Sequence, residues 1–348
     1  MATGSYLTLL DVTTRQDPNG KQAAIAEMLS QCNEFVEDMP VVEANESGGH
    51  EFVFRTSIPA GSWASYNQGT PYSKSTTAKA RVGLGTLRDY SLVDKMLAED
   101  SGDPATFREN EDVAFLEGMA QTMVQTYFYG NTTVTPAEFM GLAPFYNTVS
   151  TATAQNAANV IDALGTGSSN LSFWFIDWGP RSIFGLFPRA SKAGLYMEDL
   201  GDVVPGYDSL GNPFPAYQSM FQQRAGLCPQ DWRRAVRIAN VDTTNAGLAG
   251  PTPPDIFALF AQAAVMLPTS SRALGGITKS DAPNDTSPGN RTIIYTNRTG
   301  RHWMDVQGMR NRNVLQTIND AAGKVQDMFR GIPVHVVDQL LNTESRVV

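Results

Sequence analysis

The stretch DPATFRENEDVAFLEGMAQTMVQTYFYGNTTVTPAEFMGLAPFYN, residues 103–147, decides the fold. Its spacing predicts one long helix over Pro104–Tyr129. Asp103 suits the N-cap, Pro104 the first helical position, and Gly130-Asn131 a stop. Val113, Leu116, Ala120, Met123 and Tyr127 step by 3 and 4, which draws one apolar stripe. At about 1.5 Å per residue the helix is a rod of roughly 39 Å. Glu109, Glu111 and Asp112 crowd its first turns, where the helix dipole favours acids, and that is a sufficient structural reason for them.

Upstream of the helix lies a candidate ribbon. Glu51–Ile58 and Ala78–Leu87 read as strands, and in the second Ala80, Val82 and Leu84 alternate with Lys79, Arg81 and Gly83. The connection Pro59–Thr77 has 19 residues rich in Gly, Ser, Thr, Tyr and Asn, a length that in compact domains marks function or mobility. A two-stranded ribbon buries too little of itself to be stable alone, so it is expected to rest on another surface, in this chain or a neighbour. Before it, residues 21–37 read as a short amphipathic helix with Ile25, Met28, Leu29, Cys32, Phe35 and Val36 on one stripe. Cys32 on that stripe reads as a buried thiol. The turn-rich ANESGGH at 44–50 is a linker or arm.

Downstream, Leu171–Trp178 (LSFWFIDW) is apolar on both faces, as in a strand covered on both sides. Gly179-Pro180 reads as a turn and Ser182–Phe187 as a returning strand. Arg233–Val241 and Thr292–Thr296 are strands, Ile256–Leu267 is a helix ended by Pro268, and residues 270–290 are a loop. Val314–Val325 reads as a helix and Ile332–Val337 closes the chain. Strands and helices segregate rather than alternate, so the class is α+β.

Composition bounds the function. The 348 residues are 42% hydrophobic, enough for a large core. The longest nearly uncharged apolar run, Ile256–Leu267, has 12 residues, whereas a membrane span needs about 20. The opening MATGSYLTLLDVTTRQ has no basic n-region, so export by signal peptide is not expected. Two cysteines support neither a disulfide framework nor a structural zinc site, and a soluble protein of a reducing compartment is expected. A net charge of −9 argues against a dedicated nucleic-acid binder. Charge is nonetheless unevenly spread. Phe52–Arg88 holds five basic residues (Arg55, Lys74, Lys79, Arg81, Arg88) and no acid, while Glu99–Glu117 holds seven acids against Arg108 alone. Blocks of opposite sign suggest surfaces that meet within a subunit or between copies.

Chemistry-bearing motifs are sparse. There is no phosphate-binding G-x-x-x-x-G-K-[ST] loop, and Gly83-Leu84-Gly85 and Gly165-Thr166-Gly167 lack the third glycine of a dinucleotide fingerprint. No nucleophile elbow occurs. His50, His302 and His335 show no metal-ligand spacing, so no metal or cofactor is expected. The adjacent pair Glu111-Asp112 points apart on a helix, unlike glycosidase carboxylates. Trp174 and Trp178 around Asp177 read as buried strand aromatics rather than a sugar cleft. Arg233, Arg234, Arg237, Arg298, Arg301, Arg310 and Arg312 read as salt-bridge partners rather than phosphate ligands. An acidic stretch at 1–50, with 8 acids against 2 bases, a basic ribbon and a long acidic helix describe an assembly subunit better than an enzyme.

Four blocks, in order, resemble the major capsid proteins of tailed double-stranded DNA bacteriophages, whose fold is of the Hong Kong 97 type. FYGNTTVTPAEFMGLAPFYN (128–147) is similar to that group's glycine-asparagine, proline, phenylalanine and GLA series. WGPRSIFGLFPRASKAGLYMEDLG (178–201) and DWRRAVRIANVD (231–242) resemble blocks of one branch, and FRGIPVHVVDQLLNTES (329–345) resembles the segment near the C-terminus. The resemblance implies an N-terminal arm at 1–50 and an extended E-loop at 51–88. It implies a peripheral domain at 89–242 with its spine helix at 104–129, an axial domain at 243–330, and a C-terminal return strand at 331–348. The implied function is structural and non-enzymatic. Copies would assemble into hexamers and pentamers of an icosahedral virion head in the host bacterial cytoplasm, holding double-stranded DNA by confinement without a membrane.

Scaffolding, portal and cement proteins are the further partners that the resemblance implies. The chain before the E-loop is short for a fused scaffolding domain, so scaffolding is expected to be separate or absent. In this fold the E-loop crosses a neighbour near its spine helix. Lys79, Arg81 and Arg88 are therefore expected to meet Glu109, Glu111 and Asp112 of another copy. Some relatives weld the shell through a lysine–asparagine bond. Lys74 and Lys79 lie in the matching loop, with no partner asparagine to name. An encapsulin-type nanocompartment shell shares the fold and is the alternative. A hydrolase with a dispersed triad is the alternative of another class.

Overall fold

The computed structural model describes residues 33–46, 48–100, 102–191, 193–201, 204–208, 210–244, 253–268, 291–310, 316–319 and 325–348. Cys32, most of the helix expected at 21–37, most of the arm, and the 270–290 loop lie outside them. In chain order, helix α1 (Phe35–Asp38) and strand β1 (Val41–Glu43) lead into the ribbon β2 (Gly49–Ser57) and β3 (Thr76–Gly83). Strand β4 (Gly85–Asp94), the short helix α2 (Lys95–Asp100) and the long helix α3 (Pro104–Tyr129) follow. After α4 (Leu142–Phe145) come β5 (Val160–Asp162), β6 (Asn170–Trp178), β7 (Ile183–Phe187), β8 (Leu195–Asp199), β9 (Val204–Tyr207), β10 (Pro213–Pro229) and β11 (Ala235–Asp242). The chain continues through α5 (Ile256–Met266), β12 (Arg291–Thr296), α6 (Arg298–Arg310), β13 (Gln316–Asn319), β14 (Val325–Phe329) and β15 (Ile332–Val336).

Helix α3 has the bounds its caps predict. The Asp103 carboxylate accepts from the Ala105 and Thr106 backbone N–H groups, and the Gly130 N–H donates to the Thr126 carbonyl. The loop after it folds back onto the helix end. The Gly141 N–H donates to the Gly130 carbonyl at 2.8 Å. A Cβ on Gly130 would stand 2.5 Å from the Phe139 carbonyl oxygen, and one on Gly141 2.5 Å from that of Thr126. This close approach explains why both ends of the GNTTVTPAEFMG segment are glycine.

The apolar stripe is buried only at its last two positions. Met123 and Tyr127 are buried, but Val113 is 42% exposed with Phe107 and Asp112 buried in its half instead, and near the middle Met119 is buried while Ala120 is exposed. The reason is the change of neighbour. The first half lies on β10, with Phe115 stacked on Phe221, whereas the second half enters the main core. One helix with two different partners cannot present one continuous stripe to both.

Strand β6 is buried at every position, as its sequence predicts. Trp174, Ile176 and Trp178 join a cluster with Phe35, Phe128 and Tyr295 on the α3 side. Leu171, Phe173 and Phe175 join Phe260 of α5 in a cluster on the other side. The period of two puts alternate side chains into two cores, and the polar residues within the strand, Ser172 and Asp177, are buried with partners: Ser172 bonds to Glu344 and Asp177 pairs with Arg234. Around β6, thirteen strands form one branched, mixed sheet. It runs β5-β11-β6-β12-β15-β14-β13, and the end of β6 meets β7.

Several expectations are corrected. The strand predicted at Ala78–Leu87 breaks at Leu84. Up to Gly83 its partner is β2, and from Gly85 it is β10. Strand β7 does not return along β6. The two touch only at Trp178↔Ile183, in parallel, and β7 pairs instead with β1 and β10. The buried Ser182 carbonyl accepts from the Asp231 N–H, which carries the chain across the sheet end instead of reversing it. The helix predicted at Val314–Val325 is replaced by β13 and β14. These pair antiparallel, Gln316↔Met328, and β14 pairs with β15 at Met328↔Pro333. An open sheet edge supplied backbone partners that local propensity does not foresee. Strand β10, 17 residues and about 56 Å long at 3.3 Å per residue, begins with Pro213 and Pro215 and matches none of the strands predicted above.

Candidate functional site

The ribbon leaves the sheet as a free arm. Every residue from 53 to 77 is exposed, and at its end Ile58 is 80% exposed while Trp63, Tyr66 and Tyr72 are fully so. The aromatic residues of this loop were visible in the sequence, but nothing in their spacing said that all would stand in solvent. On the stem, Glu51 lies opposite Arg81 and Val53 opposite Lys79. The Lys79 ammonium pairs with Glu51, and the Arg81 Nε donates to Glu46 Oε2 at 3.1 Å. The Lys79 hydrogen bond holds the Glu51 carboxyl below its usual range, and Glu51 in turn raises Lys79.

The other predicted contact residues lie elsewhere. Arg88 is on β4, where its Nε and Nη2 donate to Gln222 Oε1 at 3.0 and 2.6 Å. Glu109 is exposed on α3 and Glu111 half-buried. Asp112 is buried and accepts from Ser219 Oγ at 3.1 Å, while its Oδ1 has no hydrogen bond among the described residues. Beside it, Arg108 pairs with Asp199 at 2.8 Å and lies over the Tyr217 ring, 4.8 Å from its centroid. The Arg108 hydrogen bond lowers the Asp199 carboxyl. Within one chain, then, the three bases and three acids do not converge.

Strands β4, β10 and β8 form a three-stranded blade. One face packs on α3 through Ser219 and Phe221. The register puts Arg88, Gln222 and Tyr196 in one row across the other face, and Tyr90, Met220 and Glu198 in the next. That face is bare, with Tyr90 42% and Tyr196 55% exposed. Sequence alone could not find it, because β10 itself was not legible.

Two buried polar clusters tie the chain ends to the sheet. In the first, Arg237 Nη2 meets Glu344 Oε2 at 2.8 Å, its Nη1 donates to the Tyr146 carbonyl at 2.8 Å, and its guanidinium lies over Trp174. Tyr129, the last residue of α3, donates to Glu344 Oε1 at 2.6 Å, and Ser172 also bonds to Glu344. Asn240, in a left-handed conformation with φ of 60°, donates to the Val347 carbonyl and accepts from its N–H. In the second cluster, Asp38 accepts from Tyr295 Oη at 2.9 Å, pairs with Arg291 at 3.1 Å, and bonds to His335.

The remaining chemistry is structural. Arg234 pairs with the buried Asp177 at 2.9 Å, and Trp174 and Trp178 are buried in the core cluster on the other face of β6, as buried strand aromatics should be. Arg233 and Arg298 pair with Asp231 and Asp338, as salt-bridge partners should. His50 stacks edge-on against Phe184, and His302 against Trp303. Among the described residues, no three His, Cys, Asp or Glu side chains converge as metal ligands would. No described helix is long and apolar enough to cross a membrane.

Comparison with known proteins gives one family. The family described as major capsid protein GP7 matches residues 17–348. The capsid structure of bacteriophage Epsilon15 is similar over 99% of this chain and 98% of that one, at 30% identity and a TM-score of 0.73. The bacteriophage JBD30 capsid is similar over 91% and 95%, at 10% identity and a TM-score of 0.44. An encapsulin of Synechococcus elongatus is more distant, covering 68% of this chain and 97% of its own at 10% identity and a TM-score of 0.40. No curated protein sequence matches.

Proposed function

This chain belongs to the major capsid protein GP7 family, with a Hong Kong 97-type fold, and from that premise we propose how it builds a phage head. It is a structural subunit that assembles with its own copies into capsomers of the virion head. In our reading the capsomers are hexamers and pentamers of an icosahedral shell formed in the host cytoplasm. Double-stranded DNA is held inside by confinement, which an acidic subunit of net charge −9 favours through weak adhesion. Scaffolding, portal and cement proteins are its further partners. Residues 1–50 serve as the arm and 51–88 as the E-loop. Residues 89–242 serve as the peripheral domain, 243–330 as the axial domain, and 331–348 as the return strand.

The observation that carries the mechanism is the ribbon, exposed from residue 53 to 77 with an apolar end. Such an arm gains its stability only by lying on something else. Its basic stem, Lys79 and Arg81, would lie over the acidic first half of a neighbour's α3, at Glu109 and Glu111. Asp112 faces inward in its own chain and Arg88 sits on β4, so both stand beside this contact rather than in it. Lys79 and Arg81 also keep their own partners Glu51 and Glu46, which makes the added attraction modest and sensitive to salt.

Charge reversal tests this. Lys79→Glu with Arg81→Glu should shift assembly, read by sedimentation velocity, to a different salt dependence, and Glu109→Lys with Glu111→Lys should partly restore it. Multi-megadalton particles that form equally well across salt in all three chains would overturn the stem contact. A chain that stays monomeric or dimeric under every condition, with scaffolding protein added, would overturn self-assembly itself.

A further inference from the structure

Every residue of the ribbon from 53 to 77 is exposed, so its direction is decided at its root. Strand β2 has 9 residues and extends about 30 Å at 3.3 Å per residue, so a small error of angle at the root grows along the ribbon. Each of the two strands has its own attachment there. Strand β3 runs on through Leu84 into β4, where the partner changes from β2 to β10. This joint is tightly packed. A Cβ on Gly226 would stand 2.7 Å from the Leu84 side chain, and one on Gly85 3.1 Å from Phe139. A ribbon held through one strand alone can still swing about that point.

Strand β2 is held by a different device. The segment before it is fixed to the main sheet. Val41–Glu43 pair in parallel with β7, the Ala44 N–H donates to the Phe187 carbonyl at 2.9 Å, and Glu43 Oε1 accepts from the Ala190 N–H at 2.8 Å. The next residue, Asn45, then reaches β2 with its side chain. Its Nδ2 donates to the Glu51 carbonyl at 2.7 Å, and its Oδ1 accepts from the Glu51 N–H at 2.8 Å. The amide takes both backbone groups of one residue, as a paired strand would. This needs a donor and an acceptor on one short side chain, and an aspartate at this position could only accept. Apolar contacts also meet at the root, with His50 edge-on to Phe184 and Phe52 packed on the cluster of Ala44, Val82 and Leu186. Apolar attraction holds surfaces together without fixing an angle, whereas hydrogen bonds are directional.

We propose that Asn45 is the positioning residue of the ribbon: by tying Glu51 to the segment fixed on β7, it sets the angle at which the ribbon leaves the subunit and so where it meets a neighbouring copy. This deepens the proposed function and rests on its reading that the ribbon reaches a neighbour. Two attachments, one through each strand, fix an orientation that either alone leaves free. Asn45 is itself exposed, so its two bonds exchange with bonds to water and add little to folding. Their effect is geometric, which separates this role from a merely structural one.

Electron–electron double resonance reads the angle in the full-length, unassembled chain. Spin labels are placed at Arg55→Cys on β2 and at the exposed Thr151→Cys on the body, in a chain carrying Cys32→Ser and keeping the buried Cys228. Asn45→Ala is expected to broaden the distance distribution between the labels. Thr56→Ala, which removes a side-chain bond to Thr76 farther out along the ribbon, should leave it as narrow as in the parent. The unfolding temperatures of the two variants should stay close to the parent's, while Asn45→Ala alone loses closed shells in electron micrographs of the assembly reaction. A distribution in Asn45→Ala as narrow as the parent's, or an undiminished yield of closed shells, overturns the positioning role and leaves the ribbon contact standing. A large fall in the unfolding temperature of Asn45→Ala would make the residue a structural one and overturn it too. Failure of the unsubstituted chain to form shells, with scaffolding protein added, would overturn self-assembly and the positioning role with it.

Discussion

Removing the carboxylate of Glu344 tests how the C-terminal segment holds the sheet and long helix together. Glu344 and Arg237 side chains are each 5% exposed, and the same carboxylate accepts from Tyr129 at 2.6 Å. In Glu344→Ala the guanidinium stays buried with only the Tyr146 carbonyl, the Ser172 hydroxyl and the Trp174 ring for company. Breaking one side of a buried pair costs about 3–5 kcal/mol, against a total stability of about 5–15 kcal/mol for a typical domain. At about 2–4 °C per kcal/mol, thermal unfolding of the unassembled subunit, followed by circular dichroism, should fall by roughly 10 °C. Most of that loss is the stranded cation rather than the worth of the pair. Arg237→Met combined with Glu344→Ala should therefore lose less than the two single changes added together, by about 1 kcal/mol or more. A single-change cost below about 1 kcal/mol, or strict additivity, would refute the reasoning.

Two further predictions follow from burial. Tyr127, Tyr129, Tyr146 and Tyr295 all have their hydroxyls pushed up, first by burial, with Glu344 adding to Tyr129 and Asp38 to Tyr295. Groups raised in the folded state stabilise it below the unfolded tyrosine value of about 10 and lose that contribution as pH climbs past it. Ultraviolet titration should therefore show these four of the 11 tyrosines ionising only with unfolding, and a smooth titration of all of them in the folded subunit would count against the packing. Burial also pushes the Cys228 thiol up to about 12. At pH 8 a thiol reagent, followed by peptide mapping, should leave Cys228 unmodified in the folded subunit and label it fully in denaturant. Labelling at the rate of a free thiol would show that the β10 end is open.

What the sequence determined by itself was whatever is encoded within a few neighbouring residues. Asp103, Pro104 and Gly130 set both ends of α3, because caps act over one turn. The mostly apolar run of β6, with apolar residues on both faces, announced a strand with a core on each side, and the structure fills both. The ribbon and its unusual length were legible from alternation bounded by a polar loop, and the family blocks placed all of it in one known fold.

Tertiary structure decided the rest. Strand β10 runs through Pro213 and Pro215 because β9, β8, β4 and β7 offer it partners along its whole length, and no window of sequence contains those partners. The same holds for β13 and β14, where a sheet edge overrode a helical pattern. Of the six charges that sequence set against one another, Asp112 turned inward and Arg88 joined a different strand, because charge along a chain does not say which way a side chain faces. The bare blade face exists only as a register, Arg88 beside Gln222 beside Tyr196, and register is a property of paired strands rather than of any one of them.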